Sequence, residues 1–132
     1  MLDSSQTFIL LAEDDEDDQE LIKLAFERVN PQFTVKVVTN GKEALETLGL
    51  QPALPCVIIL DLNMPILNGI QTLAALQEIP RFRQVPKVVL TTSDSEDTRQ
   101  MSYLNGAIDY LVKPASMSEF VRTAEKILSH CH

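Results

Sequence analysis

Asp61 closes an apolar run, Cys56-Val57-Ile58-Ile59-Leu60, and opens the stretch Asp61-Leu62-Asn63-Met64-Pro65-Ile66-Leu67-Asn68-Gly69. Such a run reads as a strand buried on both faces. Pro65 and Gly69 then force a loop before the next helix. Three other apolar runs also end in reactive residues. Phe8 to Ala12 ends in Glu13-Asp14, Lys87 to Leu90 in Thr91-Thr92-Ser93, and Ile108 to Val112 in Lys113-Pro114. If these strands are parallel, all four ends meet at one edge, where open α/β sheets bind their ligands. Carboxylates gathered there repel one another, and a hard divalent cation relieves the repulsion. Mg²⁺ suits the role, because it takes few carboxylates and keeps several waters. Lys113 adds a mobile positive charge and Thr91 a hydroxyl donor. The set suits a phosphoryl group carried on a carboxylate.

Each residue alone has a plainer account. The acidic run Asp15 to Asp18 reads equally well as a solvated helix start favoured by the helix dipole. Glu13 and Asp14, directly behind a buried strand, do not. A single Lys is usually a surface charge, a single Thr a strand residue, and a single Asp such as Asp61 a helix cap. The joint arrangement favours the chemical reading.

The elements that would position these groups follow from periodicity. Leu21, Ile22, Ala25, Phe26 and Val29 recur at helical spacing, with Pro31 at the exit. Phe33 to Val38 alternates as a strand, and Gly41 to Leu48 is a short helix with Ala44, Leu45 and Leu48 inward. Ile70, Leu73, Ala74 and Leu76 mark a third helix stopped near Pro80. A fourth runs roughly from Glu96 to Asn105, with Gly106 as its C-terminal cap. Ser116-Met117-Ser118-Glu119 is a capping-box pattern opening the last helix, whose buried stripe is Phe120, Val121, Ala124, Ile127 and Leu128. Alternating βα units with apolar strands imply an α/β fold, a doubly wound five-stranded parallel sheet with five helices. The expected strand order is flavodoxin-like.

The chain has 132 residues, 45% hydrophobic and 23% charged, with a net charge of −8. That composition is one globular domain over 1–132, and no output domain is expected. The acidic balance disfavours direct DNA binding, which needs a basic surface. The N-terminus Met1-Leu2-Asp3-Ser4-Ser5-Gln6 has no basic segment and no long apolar stretch, so no leader and no membrane span are expected, and the chain reads as cytoplasmic. Cys56 reads as a core residue and Cys131 as an incidental surface thiol, with no disulfide framework. His130 and His132 read as tail residues.

The sequence strongly resembles the receiver domain of two-component response regulators, from about Thr7 to Leu128. The resemblance rests on Leu10-Leu11-Ala12-Glu13-Asp14-Asp15, the stretch Asp61 to Gly69, Leu90-Thr91-Thr92-Ser93, Gly106-Ala107-Ile108-Asp109-Tyr110 and Lys113-Pro114-Ala115. Each motif is weak alone, but together, in order and at family-like spacing, they are highly specific. The resemblance implies that Asp61 is the phosphoacceptor, taking a phosphoryl group from a phosphohistidine. It implies that Asp14 binds Mg²⁺ directly, Glu13 through a water, and Asn63 through its backbone carbonyl. Thr91 would hydrogen-bond the phosphoryl group and Lys113 would pair with it. Tyr110 would be the switch aromatic that turns inward when Thr91 moves, and the Lys113-Pro114 bond would be cis. The implied partners are a sensor histidine kinase or a histidine phosphotransfer protein, and an unknown downstream protein target. The chain would be a signalling phosphoacceptor and not an enzyme, assisting only its own phosphorylation and dephosphorylation. Met101, Tyr103 and Leu104 either join a partner or homodimer surface or face the core. The wording around Asp61 and Thr91 looks most like the small regulators paired with bacterial phytochromes.

Two other classes fit less well. A phosphatase of the haloacid dehalogenase type needs a second Asp two residues after the nucleophile, where this chain has Asn63. A flavin-binding electron carrier needs a phosphate-cradling loop after the first strand, where this chain is acidic.

Overall fold

A computed structural model describes residues 8–131. Met1 to Thr7 and His132, with the leader and tail readings made for them, lie outside the described residues. Strands β1 (Phe8–Ala12), β2 (Thr34–Val38), β3 (Val57–Leu60), β4 (Lys87–Thr91) and β5 (Asp109–Val112) alternate with helices α1 (Glu16–Val29), α2 (Gly41–Leu50), α3 (Gly69–Gln77), α4 (Glu96–Leu104) and α5 (Met117–Leu128). A short 3₁₀ turn, Pro80–Phe82, precedes β4. All strand pairs are parallel, in the order β2-β1-β3-β4-β5, which is the doubly wound order expected.

Alternate strand residues feed two cores, because side chains on a strand point to opposite faces. Phe8, Leu10, Ala12, Ile58, Leu60 and Val89 pack with Leu48 of α2 and with Leu73 and Leu76 of α3. Ile9, Leu11, Val57, Ile59, Val88 and Leu90 pack with Ile22 and Phe26 of α1 and with Phe120 and Ile127 of α5. Leu21, one of the apolar residues at helical spacing on α1, is exposed, as is Leu24.

The helix ends follow local chemistry. Ser116 accepts from the Glu119 N–H and starts α5. Asn68 and Gln71 close a reciprocal capping box on α3. After α4, Gly106 sits at φ +104°. There Gly106 N–H donates to Tyr103 O and Ala107 N–H to Ser102 O, the paired bonds of a Schellman ending.

The fold decides one open reading and overturns two expectations. First, of the two alternatives for α4, the core-facing one fails, for Met101 and Leu104 are not buried. Its one buried residue is Ser102, while Met101, Tyr103 and the 80%-exposed Leu104 face out. The helix is too polar for its few apolar residues to dictate a face. Second, Cys56 and Cys131 are joined in a disulfide, with Cα atoms 5.0 Å apart. Spacing could not reveal a pair separated by 75 residues. Third, Lys113-Pro114 is trans, since no cis peptide bond occurs among the described residues. The two isomers of an X-Pro bond differ by only about 0.5–1 kcal/mol, so local sequence does not decide between them.

The loop behind β3 carries strain. Ile66 has φ +69°, and around it Leu67 N–H donates to Pro65 O at 2.7 Å, which closes a γ-turn. A β-branched residue rarely adopts this conformation, and the Ile66 side chain is 74% exposed, so packing does not repay it. Ile66→Gly should therefore raise stability by about 1 kcal/mol. That is the strain of roughly 1–3 kcal/mol released, less the extra freedom of glycine in the unfolded chain. Urea unfolding checks it, and a lower midpoint for the variant would refute it.

Candidate functional site

The sheet register brings the reactive residues together. Ala12 pairs with Leu60, Leu60 with Val89 and Thr91 with Val112. Glu13 and Asp61 thus leave the sheet at the same level, with Thr91 and Lys113 within a residue or two of it. The ladder continues past the strand ends: Glu13 N–H donates to Val38 O, Asp61 N–H to Ala12 O and Lys113 N–H to Thr91 O, at 2.7–3.1 Å. These bonds hold the backbone beneath the site.

Lys113 is the centre of the cluster. Its ammonium lies 2.6 Å from Glu13 Oε1, 2.8 Å from Asp18 Oδ2 and 2.9 Å from Asp61 Oδ2. Its side chain and those of Glu13 and Asp61 are nearly all buried. Burial would strip the Lys113 charge, but hydrogen bonds to Asp18, Glu13 and Asp61 outweigh it and push its pKa above the ordinary value. Glu13 moves the other way. Burial and the nearby Asp61 carboxylate raise it from 4.5 to about 7, against the pull of Lys113 and of the Asp15 N–H. A cation shared among three carboxylates cannot fully compensate the desolvation of each.

The acidic run divides by role. Asp15 caps α1, accepting from the N–H groups of Asp17 and Asp18. Glu16 and Asp17 are exposed. Asp18 turns back to Lys113, a site contact that the sequence reading left undecided. No spacing signal marked it, because it lies in the first turn of α1 within an unbroken acidic run.

Glu13, Asp14 and Asp61 bring carboxylate oxygens within 4.8 Å of one another. Two are buried and one is exposed, so the group opens to solvent on one side. Hard oxygen donors at that spacing, facing only one ammonium, fit a divalent cation. Asn63 is exposed, and its backbone N–H donates to Asp61 Oδ1 at 3.3 Å. Thr91 is fully buried, and its hydroxyl accepts from Ser93 N–H at 3.4 Å.

Tyr110 lies inward. Its hydroxyl donates to Ser93 O at 2.7 Å and sits 2.8 Å from Thr98 Oγ1. The Arg99 guanidinium covers its ring at 4.6 Å from the centroid.

The family model of the response regulator receiver domain matches residues 9–125. The chain is a response regulator receiver. This receiver is 37% identical to the probable methanogenesis regulatory protein FilR2 of Methanothrix harundinacea, over 96% of its own length and 85% of that protein. Among solved structures it resembles the phosphorylated cyanobacterial phytochrome response regulator RcpA, with TM-score 0.84 and 31% identity, covering 92% of this chain and 91% of that one. It also resembles the Mn²⁺-bound response regulator Rcp1, with TM-score 0.81 and 30% identity at the same coverage. As a receiver it is a phosphoacceptor of two-component signalling. No helix among the described residues is long and apolar enough to cross a membrane.

The Glu13 shift has a consequence for the receiver without metal. Between pH 4.5 and about 7 the folded chain holds a proton that the unfolded chain releases. This contribution to stability is full below about 4.5 and is lost as pH rises through about 7. Lys113 adds no slope there, since it is charged in both states. In chelator, the urea midpoint of wild type should fall between pH 5 and 8, and Glu13→Gln should flatten the fall. Parallel curves for the two proteins would refute this origin.

Proposed function

We propose that Asp61 is the phosphoacceptor of this receiver and that a sensor histidine kinase or a histidine phosphotransfer protein is its donor. The observation that carries the reading is the contact of Lys113 with Asp61, beside the carboxylates of Glu13 and Asp14 and at the carboxyl edge of the sheet. One Asp61 oxygen attacks phosphorus in line with the phosphohistidine nitrogen. The P–O bond forms as the P–N bond breaks, and the imidazole leaves with the electron pair. Lys113 neutralises charge gathering on the phosphoryl oxygens, and Thr91 donates its hydroxyl to one of them. Glu13, Asp14 and Asp61, with the Asn63 carbonyl, would hold Mg²⁺, which when bound supplies charge neutralisation at the phosphoryl oxygens. The phosphorylated chain turns over no separate substrate. Asn63, two residues after Asp61, cannot act as a general acid or base, so self-dephosphorylation is slow; decay within seconds in Mg²⁺ would count against that.

Readout passes through the outer face of α4 and β5. Met101, Tyr103, Leu104, Ile108 and Val112 are exposed there and would meet a downstream protein or a second copy of the chain. Tyr110 acts as the switch aromatic by exchanging its bonds to Ser93 and Thr98 as Thr91 moves. The likeness to RcpA, and to RPA3017 of red-light signalling in R. palustris at TM-score 0.83, favours a phytochrome-type kinase as donor. A cytoplasmic location follows from such a partner.

The test is intact mass after incubation with acetyl phosphate and Mg²⁺. The expected result is one added phosphoryl group, lost on treatment with hydroxylamine and absent without Mg²⁺. No gain from acetyl phosphate or from a phosphohistidine donor would overturn the reading.

A further inference from the structure

Cys56 and Cys131 lie at the edge of the sheet opposite Asp61. Cys56 directly precedes β3, and its N–H donates to Phe8 O at 2.9 Å. Cys131 follows α5, whose C-terminal end returns to that edge because the helix runs antiparallel to the strands. We propose that these two residues form a reversible thiol–disulfide couple that tethers the end of α5 to the start of β3, exchanging with low-molecular-weight thiols and disulfides.

Three observations carry the proposal. The Cα separation of 5.0 Å lies within the range a disulfide spans without backbone movement. Both cysteines are only half-buried, and a cleft of about 430 Å³ lined by Cys56, with Leu54, Pro55, Val85, Pro86 and His130 among its other walls, opens beside the bridge. A small disulfide can therefore approach from the Cys56 side. Finally, other contacts hold the tail in place. Asp109 of β5 pairs with His130 at 3.2 Å and with Lys126 at 3.8 Å. Ile127 is buried and Leu128 packs against the same core. With the bridge open, the thiols remain docked near each other and can close again.

The exchange balances with a glutathione-type disulfide as oxidant. One protein thiolate attacks it, releasing one small thiol and leaving a mixed disulfide. The second protein thiolate then displaces the second small thiol. The two protein thiols lose two electrons and two protons, and the small disulfide gains both to become two thiols. The closed bridge spans 75 residues of chain, a long loop whose closure constrains the unfolded state strongly.

The folded receiver is equilibrated across a series of reduced-to-oxidised glutathione ratios, quenched with N-ethylmaleimide and weighed intact. The expected result is a transition from two labels to none, with little mixed disulfide, and a thermal midpoint higher in the oxidised form by on the order of 10 °C. Cys131→Ser should take up a single label or a single glutathione and show no such rise. Two labels at every ratio would overturn the proposal, as would a glutathione adduct as the main oxidised product. So would a bridge that excess dithiothreitol leaves closed in the folded protein, or closure with no change in melting.

Discussion

Asp61→Asn should gain no phosphoryl group from acetyl phosphate in Mg²⁺, under conditions that label wild type fully, and should still fold. Asparagine keeps the shape of the side chain. Its one amide oxygen can accept from Lys113 in place of Oδ2, giving up the Oδ1 contact to Asn63 N–H, and the Lys113 contacts to Glu13 and Asp18 remain. What disappears is the anionic oxygen that attacks phosphorus. An amide oxygen is a poor nucleophile, and no other carboxylate shares its place in the β3 register. The change also removes one charge from an acidic cluster. Glu13, raised to about 7 partly by Asp61, should titrate lower in the variant. Intact mass reads the first effect, and carboxyl-carbon NMR of Glu13 reads the second. Full labelling of the variant would move the phosphoacceptor to another residue, with Asp14 the next candidate. Far-UV circular dichroism in the same experiment should match that of wild type, which assigns the loss of labelling to the missing oxygen and not to unfolding.

Gly69→Ala should cost about 3 kcal/mol or more of stability and slow phosphoryl uptake as well. An added Cβ would lie 2.4 Å from Asp61 O, 2.8 Å from Leu62 Cα and 3.0 Å from the Asp61 carbonyl carbon. All three are backbone atoms, so no flexible side chain can yield. Overpacking of a tight core typically costs 1–3 kcal/mol, and a clash against fixed backbone falls at or above that range. The segment that must shift also carries Asp61, which ties the two effects together. Gly69 N–H donates to Leu62 O at 3.1 Å and fastens the loop just behind Asp61. Chemical denaturation gives the stability change. A variant with wild-type midpoint and uptake would mean that the loop relaxes freely. By contrast, Gly49→Ala, where an added Cβ meets nothing within 4 Å, should be neutral to stabilising.

The differing visibility of these features in the sequence has physical causes. Strand and helix positions were legible because burial on both faces makes a strand an unbroken apolar run, and burial on one face gives a helix an apolar period of 3.6. Val57 to Leu60 carries the first imprint and the stripe Phe120, Ala124 and Ile127 the second. Helix α4 does not. Its polar sequence sets no inward face, so only the assembled fold showed Met101, Tyr103 and Leu104 to be exposed.

The sequence by itself determined the order of elements, the parallel sheet, and the gathering of Glu13, Asp14, Asp61, Thr91 and Lys113 at one edge. That followed because each residue lies within two residues of a strand end, and strand ends are local features. The tertiary structure alone decided four things: the recruitment of Asp18 to Lys113, the inward seat of Tyr110, the trans Lys113-Pro114 bond and the pairing of Cys56 with Cys131. Each depends on the approach of groups far apart in the chain, or on a balance of about 1 kcal/mol between two backbone states. Local sequence encodes the direction in which a side chain leaves the backbone, but not what meets it there.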